Sequence, residues 1–151
     1  MTFDKTTPIR DGFGRALVDL GRQNPDVVVL TADLSDAVRV LWFAKEFPDR
    51  FFQMGISEND MMGTAAGLAL NGRIPFATTF ATFATGLANM AVKVSIAYNR
   101  ANVKIVTSHG GICVGADRAT HQSIDDYALM RVIPEMTVVA PCDATEAYKA
   151  T

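Results

Sequence analysis

Phe51-Phe52-Gln53-Met54-Gly55-Ile56-Ser57-Glu58-Asn59-Asp60 is the stretch on which the architecture turns. Phe51 to Met54 is short, apolar and flanked by charged residues, the pattern of a buried strand. Met61 to Leu70, which follows, is small-sided, apolar and long enough for a buried helix. Glu58 therefore falls where the carboxyl end of a strand turns into a helix, and in open α/β sheets ligands bind there. The ordinary reading of the same residues is a helix start: Ser57 caps, Asp60 closes a capping box, and Glu58 favours the positive helix end.

A second stretch, Ile74-Pro75-Phe76-Ala77-Thr78-Thr79-Phe80-Ala81-Thr82-Phe83-Ala84-Thr85-Gly86, begins as a strand and ends as a helix start. Phe80 and Phe83 lie one helical turn apart and share a face. On pattern alone such a pair reads as core, since large apolar side chains are mostly buried for packing.

Working outward, Phe13, Leu17 and Leu20 recur at helical spacing, and Asn24-Pro25 ends that helix. Val27-Val28-Val29-Leu30-Thr31 is continuous and β-branched, as in a strand covered on both faces. Asp33 to Asp36 reads as a loop and helix cap, and Leu41 to Phe47 as a short amphipathic segment stopped by Pro48. Asn71-Gly72 punctuates. Ala84 to Asn99 predicts a long helix, Val103 to Thr107 another buried strand, and Ser108 to Thr120 a glycine-containing loop. Ser123 to Val132 returns to helix, Thr137 to Ala140 predicts a fifth strand, and Asp143 opens a last helix. Alternating strands and helices predict an α/β fold, a mainly parallel sheet with helices on both faces.

The 151 residues suit one domain with a sizeable core. Hydrophobic content of 49% and charged content of 20% fit a soluble globular protein. A formal charge of -2 and the lack of a basic stripe disfavour nucleic acid as a partner. Cys113 and Cys142 make neither a disulfide framework nor a metal cluster, and read as small buried hydrophobes in a reducing compartment. Met1 to Arg10 is not a signal peptide, and no stretch is apolar and long enough to span a bilayer, so a cytoplasmic location is expected. His109 and His121, the two histidines, lack metal-ligand spacing.

Together the Glu58 and Phe80 stretches resemble the pyrimidine-binding domain of transketolase. The resemblance extends to Thr31-Ala32-Asp33-Leu34, Lys104 to His109, Asp117-Arg118-Ala119-Thr120-His121-Gln122 and Ile133 to Val138, in the family's order over nearly the whole chain. It implies the three-layer, doubly wound thiamine-diphosphate-binding fold of pyrimidine type. It also implies that 1–151 is one such domain stopping before its last strand, as a fragment or as a split carboxyl-side subunit.

The cofactor implied is thiamine diphosphate. Glu58 would hydrogen-bond its aminopyrimidine, Phe80 and Phe83 would pack on that ring, and Asp33 and Ile56 would lie beside the cofactor. Burial against the heterocycle favours a neutral Glu58 and the helix amino end an anionic one, so the neutral form needs a partner chain that seals the site. His109 would contact substrate phosphate, and His121 would lie near the donor hydroxyl and act in catalysis with Glu58. Asp117 would recognise a sugar hydroxyl and Arg10 a sugar phosphate. The bland alternatives are a solvated Asp117, a capping Asp33 and a surface Arg10. Mg2+ and the diphosphate would be held by a partner domain or subunit carrying a Gly-Asp-Gly motif, which this sequence lacks.

Two positions depart from the family: Ala37, where a serine usually helps hold the phosphate, and Arg118, where glycine is usual. Arg118 is expected to move positive charge toward the substrate channel and retune which anionic sugar binds. The implied reaction is transfer of a two-carbon ketol unit between a ketose and an aldose, phosphorylated sugars above all. 1-Deoxyxylulose-phosphate synthase shares the Glu58 motif, but Asp-Arg is expected there near Ser108-His109. The beta subunit of 2-oxoacid dehydrogenases is a further relative. The reading from another class is a non-catalytic assembly or ligand-binding module, in which Glu58 is a cap and the phenylalanines are core.

Overall fold

The computed structural model describes residues 2–151. Four parallel strands, Val27–Thr31 (β1), Phe51–Gln53 (β2), Ile74–Phe80 (β3) and Lys104–Ser108 (β4), form one sheet in the order β2-β1-β3-β4. β1 is buried at every position because strands flank it and helices cover both its faces. Side chains alternate along a strand, so each face collects its own cluster. Val29 and Phe76, paired in register, pack with Phe13, Leu17 and Phe43 from helices Ile9–Gln23 (α1) and Leu41–Glu46 (α2). Leu30 and Ala77, the next pair, pack on the opposite face with Met61, Met62, Ala65 and Ala66 of helix Glu58–Leu70 (α3). Each fully buried Leu, Met or Phe contributes about 1.5–3 kcal/mol. Pro75 is tolerated in a central strand because β4 pairing begins only opposite Phe76, leaving no ladder bond for its missing N–H to make.

The edges of the sheet correct two expectations. β2 and β4 are half-exposed rather than buried strands, because each has a neighbour on one side only. Thr137 to Ala140 forms no strand. It runs beside β4 across a cavity of about 110 Å³ lined by Ile105, Thr107, Met130 and Val138.

The predicted long helix is composite: wide π turns at Phe83–Leu87 and Val92–Ala97 flank one α turn, Asn89–Ala91 (α4). Thr85 contributes to the first irregularity by returning its hydroxyl to the Ala81 carbonyl at 2.8 Å. Asp126–Arg131 (α5) is shorter than expected, and Ala144–Ala150 (α6) begins as expected. Asp143 caps α6 by accepting from the Glu146 N–H at 2.7 Å. Cys113 and Cys142 are exposed, not buried: both sit in segments outside the two core clusters. No helix among the described residues is long and apolar enough to cross a membrane.

Candidate active site at the carboxyl edge of the sheet

Parallel strands leave their carboxyl ends at one edge, and chemistry-bearing side chains gather there. β1 delivers Asp33 two residues past its end, β3 ends at Phe80, β4 is followed directly by His109, and the turn after β2 leads to Glu58. Asp33 and His109 both take positive φ, 57° and 58°, as the chain leaves its strand.

Glu58 is only 4% exposed and is the one buried ionisable side chain among the described residues. Ser57 makes no side-chain capping bond, so the capping-box reading fails. The carboxyl is directed inward to the strand, where its Oε1 accepts from the Thr79 hydroxyl at 3.4 Å.

On the other face of the β3 terminus stands an aromatic cluster. Phe80 and Phe83 are near-parallel, with centroids 6.1 Å apart. His109 lies 4.0 Å from Phe80, centroid to centroid, and His121 presents an edge to Phe83 at 5.2 Å and to Phe80 at 6.1 Å. The two histidines, 12 residues apart in the chain, thus meet at the Phe80 ring.

Their hydrogen bonds orient them. His109 Nδ1 is 2.7 Å from Ser108 Oγ. Burial pushes the His109 imidazolium toward deprotonation, and the charge of Arg10 adds to this while Asp117 opposes it. The ring is therefore neutral at neutral pH and carries both a donor and an acceptor. His121 Nδ1 lies 2.9 Å from Thr120 Oγ1, whose single proton is donated to the Asp117 carbonyl at 3.1 Å. Oγ1 must then accept from Nδ1–H, which leaves Nε2 as the nitrogen open to a ligand.

Arg10 is half-buried and donates from Nη1 to the Ala37 carbonyl at 3.1 Å, so it is held rather than splayed on the surface. Asp33 does not cap α2, whose first turn is preceded by Val40. Its backbone N–H donates to Gln53 Oε1 at 2.7 Å, and Gln53 also accepts from Gly55 N–H at 3.3 Å and donates to Ser35 at 3.1 Å. Gln53 thereby ties the Asp33 loop to the turn that presents Glu58, a role sequence reading missed because a polar residue at a strand end carries no periodic signal. Thr79 was missed likewise, as one threonine among several. The side chains of Asp33, Ile56 and Arg118 make no hydrogen bond, ion pair or ring contact with the cluster among the described residues, and Ile56 is 85% exposed.

The cofactor-side features fit a planar, nitrogen-bearing ring: one buried carboxyl with a single long hydrogen bond, and apolar rings at the adjacent strand end. No group of three or more His, Cys, Asp or Glu side chains among the described residues is placed to hold a metal.

The fold is that of a pyrimidine-type domain of the α/β thiamine-diphosphate-binding class. Residues 5–151 match the family described as "Transketolase, pyrimidine binding domain", and the chain belongs to that family. It is 50% identical over 135 residues to a transketolase C-terminal section from Methanocaldococcus jannaschii, covering 89% of this chain and 43% of the relative. It is 41% identical over 140 residues to one of the subunits of apulose-4-phosphate transketolase from Phocaeicola vulgatus, covering 93% of this chain and 45% of that one. Among solved structures it is similar to a split-gene transketolase, described as an inactive beta4 tetramer, with 51% identity and a TM-score of 0.81 over 93% of this chain and 44% of that chain. The chain spans under half the length of these relatives. Transketolase-family proteins depend on thiamine diphosphate.

Proposed function

We propose that this chain is the pyrimidine-binding half of a transketolase that moves a two-carbon ketol unit between phosphorylated sugars, in the manner of the pentose phosphate reactions. The observation that carries the proposal is the burial of Glu58 at the strand edge that also bears Phe80, Phe83, His109 and His121. When bound, thiamine diphosphate supplies the carbanion chemistry of the transfer. Glu58 would donate a proton in a hydrogen bond to the ring nitrogen of the aminopyrimidine. Phe80 and Phe83 would hold that ring by offset stacking, worth about a kcal/mol per aromatic pair beyond burial. Asp33 and Ile56 would flank the cofactor.

His121, through Nε2, would bond the substrate oxygen at which charge develops and shuttle a proton there. Neutral His109 would bond a substrate oxygen without repelling Arg10, which would bind the sugar's anionic end with Arg118. Asp117 would take a sugar hydroxyl. A phosphorylated sugar is consistent with the name of the Phocaeicola relative.

Mg2+ and the diphosphate would be held by a separate diphosphate-binding domain or subunit. Its seat would be the apolar face beside Glu58. Leu87, Met90 and Val94 are 60%, 69% and 53% exposed on the composite helix, and Asn59, next to Glu58, donates to the Leu87 carbonyl at 3.4 Å. The active particle would be a dimer or larger homo- or hetero-oligomer. Exposed free thiols at Cys113 and Cys142 fit a reducing, cytoplasmic setting.

The test mixes this chain with a transketolase diphosphate-binding subunit, Mg2+ and thiamine diphosphate, and follows ketol transfer. Glu58→Ala should lower the rate by at least about a hundredfold, the usual scale for a positioned acid–base group. A mixture unaffected by Glu58→Ala, or inactive with wild-type chain in the assembled complex, overturns the proposal in favour of a non-catalytic module.

A further inference from the structure

The buried threonines around the β3 terminus divide into two kinds. Thr31 donates its hydroxyl to the Thr78 carbonyl at 3.0 Å, Thr78 to the Leu30 carbonyl at 3.0 Å, and Thr85 to the Ala81 carbonyl at 2.8 Å. These bonds tie backbone to side chain within the scaffold. Thr79, fully buried, instead directs its hydroxyl at Oε1 of Glu58, 21 residues away in the chain. It stands on the face of β3 that carries α3, while its neighbour Phe80 turns to the opposite face and the aromatic cluster.

That contact distinguishes the two carboxyl oxygens. A hydroxyl has one proton, and a carboxyl oxygen that accepts it is held as an acceptor. In neutral Glu58 the carboxyl proton then resides on Oε2, the oxygen that Thr79 does not occupy. Without Thr79 the proton could sit on either oxygen, and the side chain would lose the one hydrogen bond that fixes its rotamer among the described residues. At 3.4 Å the bond is longer than the usual 2.7–2.8 Å for O–H···O.

We propose that Thr79 is a positioning residue for Glu58: its hydroxyl fixes Oε1 as acceptor, so that Oε2 carries the proton Glu58 offers to a ring nitrogen. The inference rests on the functional reading above for its catalytic consequence, but its structural half does not.

The two halves are tested separately with Thr79→Val, which keeps the shape and removes the donor, and Thr79→Ser, which keeps the donor. First, in the chain without cofactor, the Glu58 carboxyl stretch is located in infrared difference spectra by its loss in Glu58→Gln. It should shift in Thr79→Val and return to its wild-type position in Thr79→Ser. Second, in the assembled enzyme, Thr79→Val should lower kcat about tenfold, the scale of one lost hydrogen bond to a carboxyl, with the sugar KM changed less than about twofold; Thr79→Ser should recover most of the loss.

An unshifted band in Thr79→Val overturns the proposal whatever the enzyme does. Equal impairment in Thr79→Ser and Thr79→Val assigns Thr79 to packing and overturns it too. A shifted band with unchanged kcat, in a complex that Glu58→Ala inactivates, overturns the catalytic half. A shifted band in a complex indifferent to Glu58→Ala points to failure of the functional reading instead.

Discussion

Arg118 adopts φ 55° and ψ −148°, a conformation close to one that glycine occupies almost alone. An arginine there costs about 1–3 kcal/mol, which the fold must offset elsewhere. Its side chain is exposed and makes no ion pair among the described residues that would explain the strain. The substitution Arg118→Gly should relieve it. Glycine also makes the unfolded chain more flexible, which takes back about 0.4–1 kcal/mol, so the net gain should be about 1 kcal/mol. In a chain of this size that is a rise in Tm of about 2–4 °C, read by thermal unfolding. A fall in Tm would show that the arginine makes compensating contacts.

Among the elements, α6 is stitched to α1. α6 packs against α1 where Gly12 faces the backbone of Ala144, and a Cβ on Gly12 would overlap the Ala144 carbonyl, with Ala144 Cα 2.8 Å away. Tyr148 completes the contact by donating to Asp19 at 2.8 Å. Backbone cannot step aside as a flexible side chain can, so Gly12→Ala should destabilise by about 1–3 kcal/mol, despite alanine's better helix propensity, which is worth about 1 kcal/mol. Chemical denaturation checks the value, and a neutral or stabilising result would mean that α6 shifts freely. The same contact fixes the start of α1, from which Arg10 reaches the Ala37 carbonyl and biases His109.

For the whole molecule, the distribution of apolar surface matters more than its amount. The inner faces of α3 and the composite helix are buried, yet Leu87, Met90, Val94 and Tyr98 remain exposed along the latter. Gly63 and Gly67 on α3 have open space where a Cβ would stand, so another backbone could approach closely. If the proposed diphosphate-binding partner sits on this face, placing a charge there, as Met90→Glu, should lower its affinity more than about tenfold, because an unpaired buried charge costs several kcal/mol. Sedimentation or calorimetric titration reads the affinity, with far-ultraviolet circular dichroism confirming an unchanged fold. Full retention of affinity would place the partner elsewhere.

Local pattern along the chain was enough for the alternation of strands and helices, the doubly covered β1, and the strand-to-helix turn that bears Glu58. Those features are local, written in β-branched runs, helical spacing and turn residues. It also paired Phe80 with Phe83, although by helical spacing: Phe80 ends β3 and only Phe83 lies in a helical segment, so the strand-to-helix turn brings their rings together. Tertiary structure decided which strands became edges, and so why β2 and β4 are half-exposed and Thr137 to Ala140 lies unpaired. It decided that Thr79, rather than Thr78, meets Glu58, and that two distant histidines meet at the Phe80 ring. Register and face depend on which segments pack across the sheet, and no stretch of chain carries that information alone.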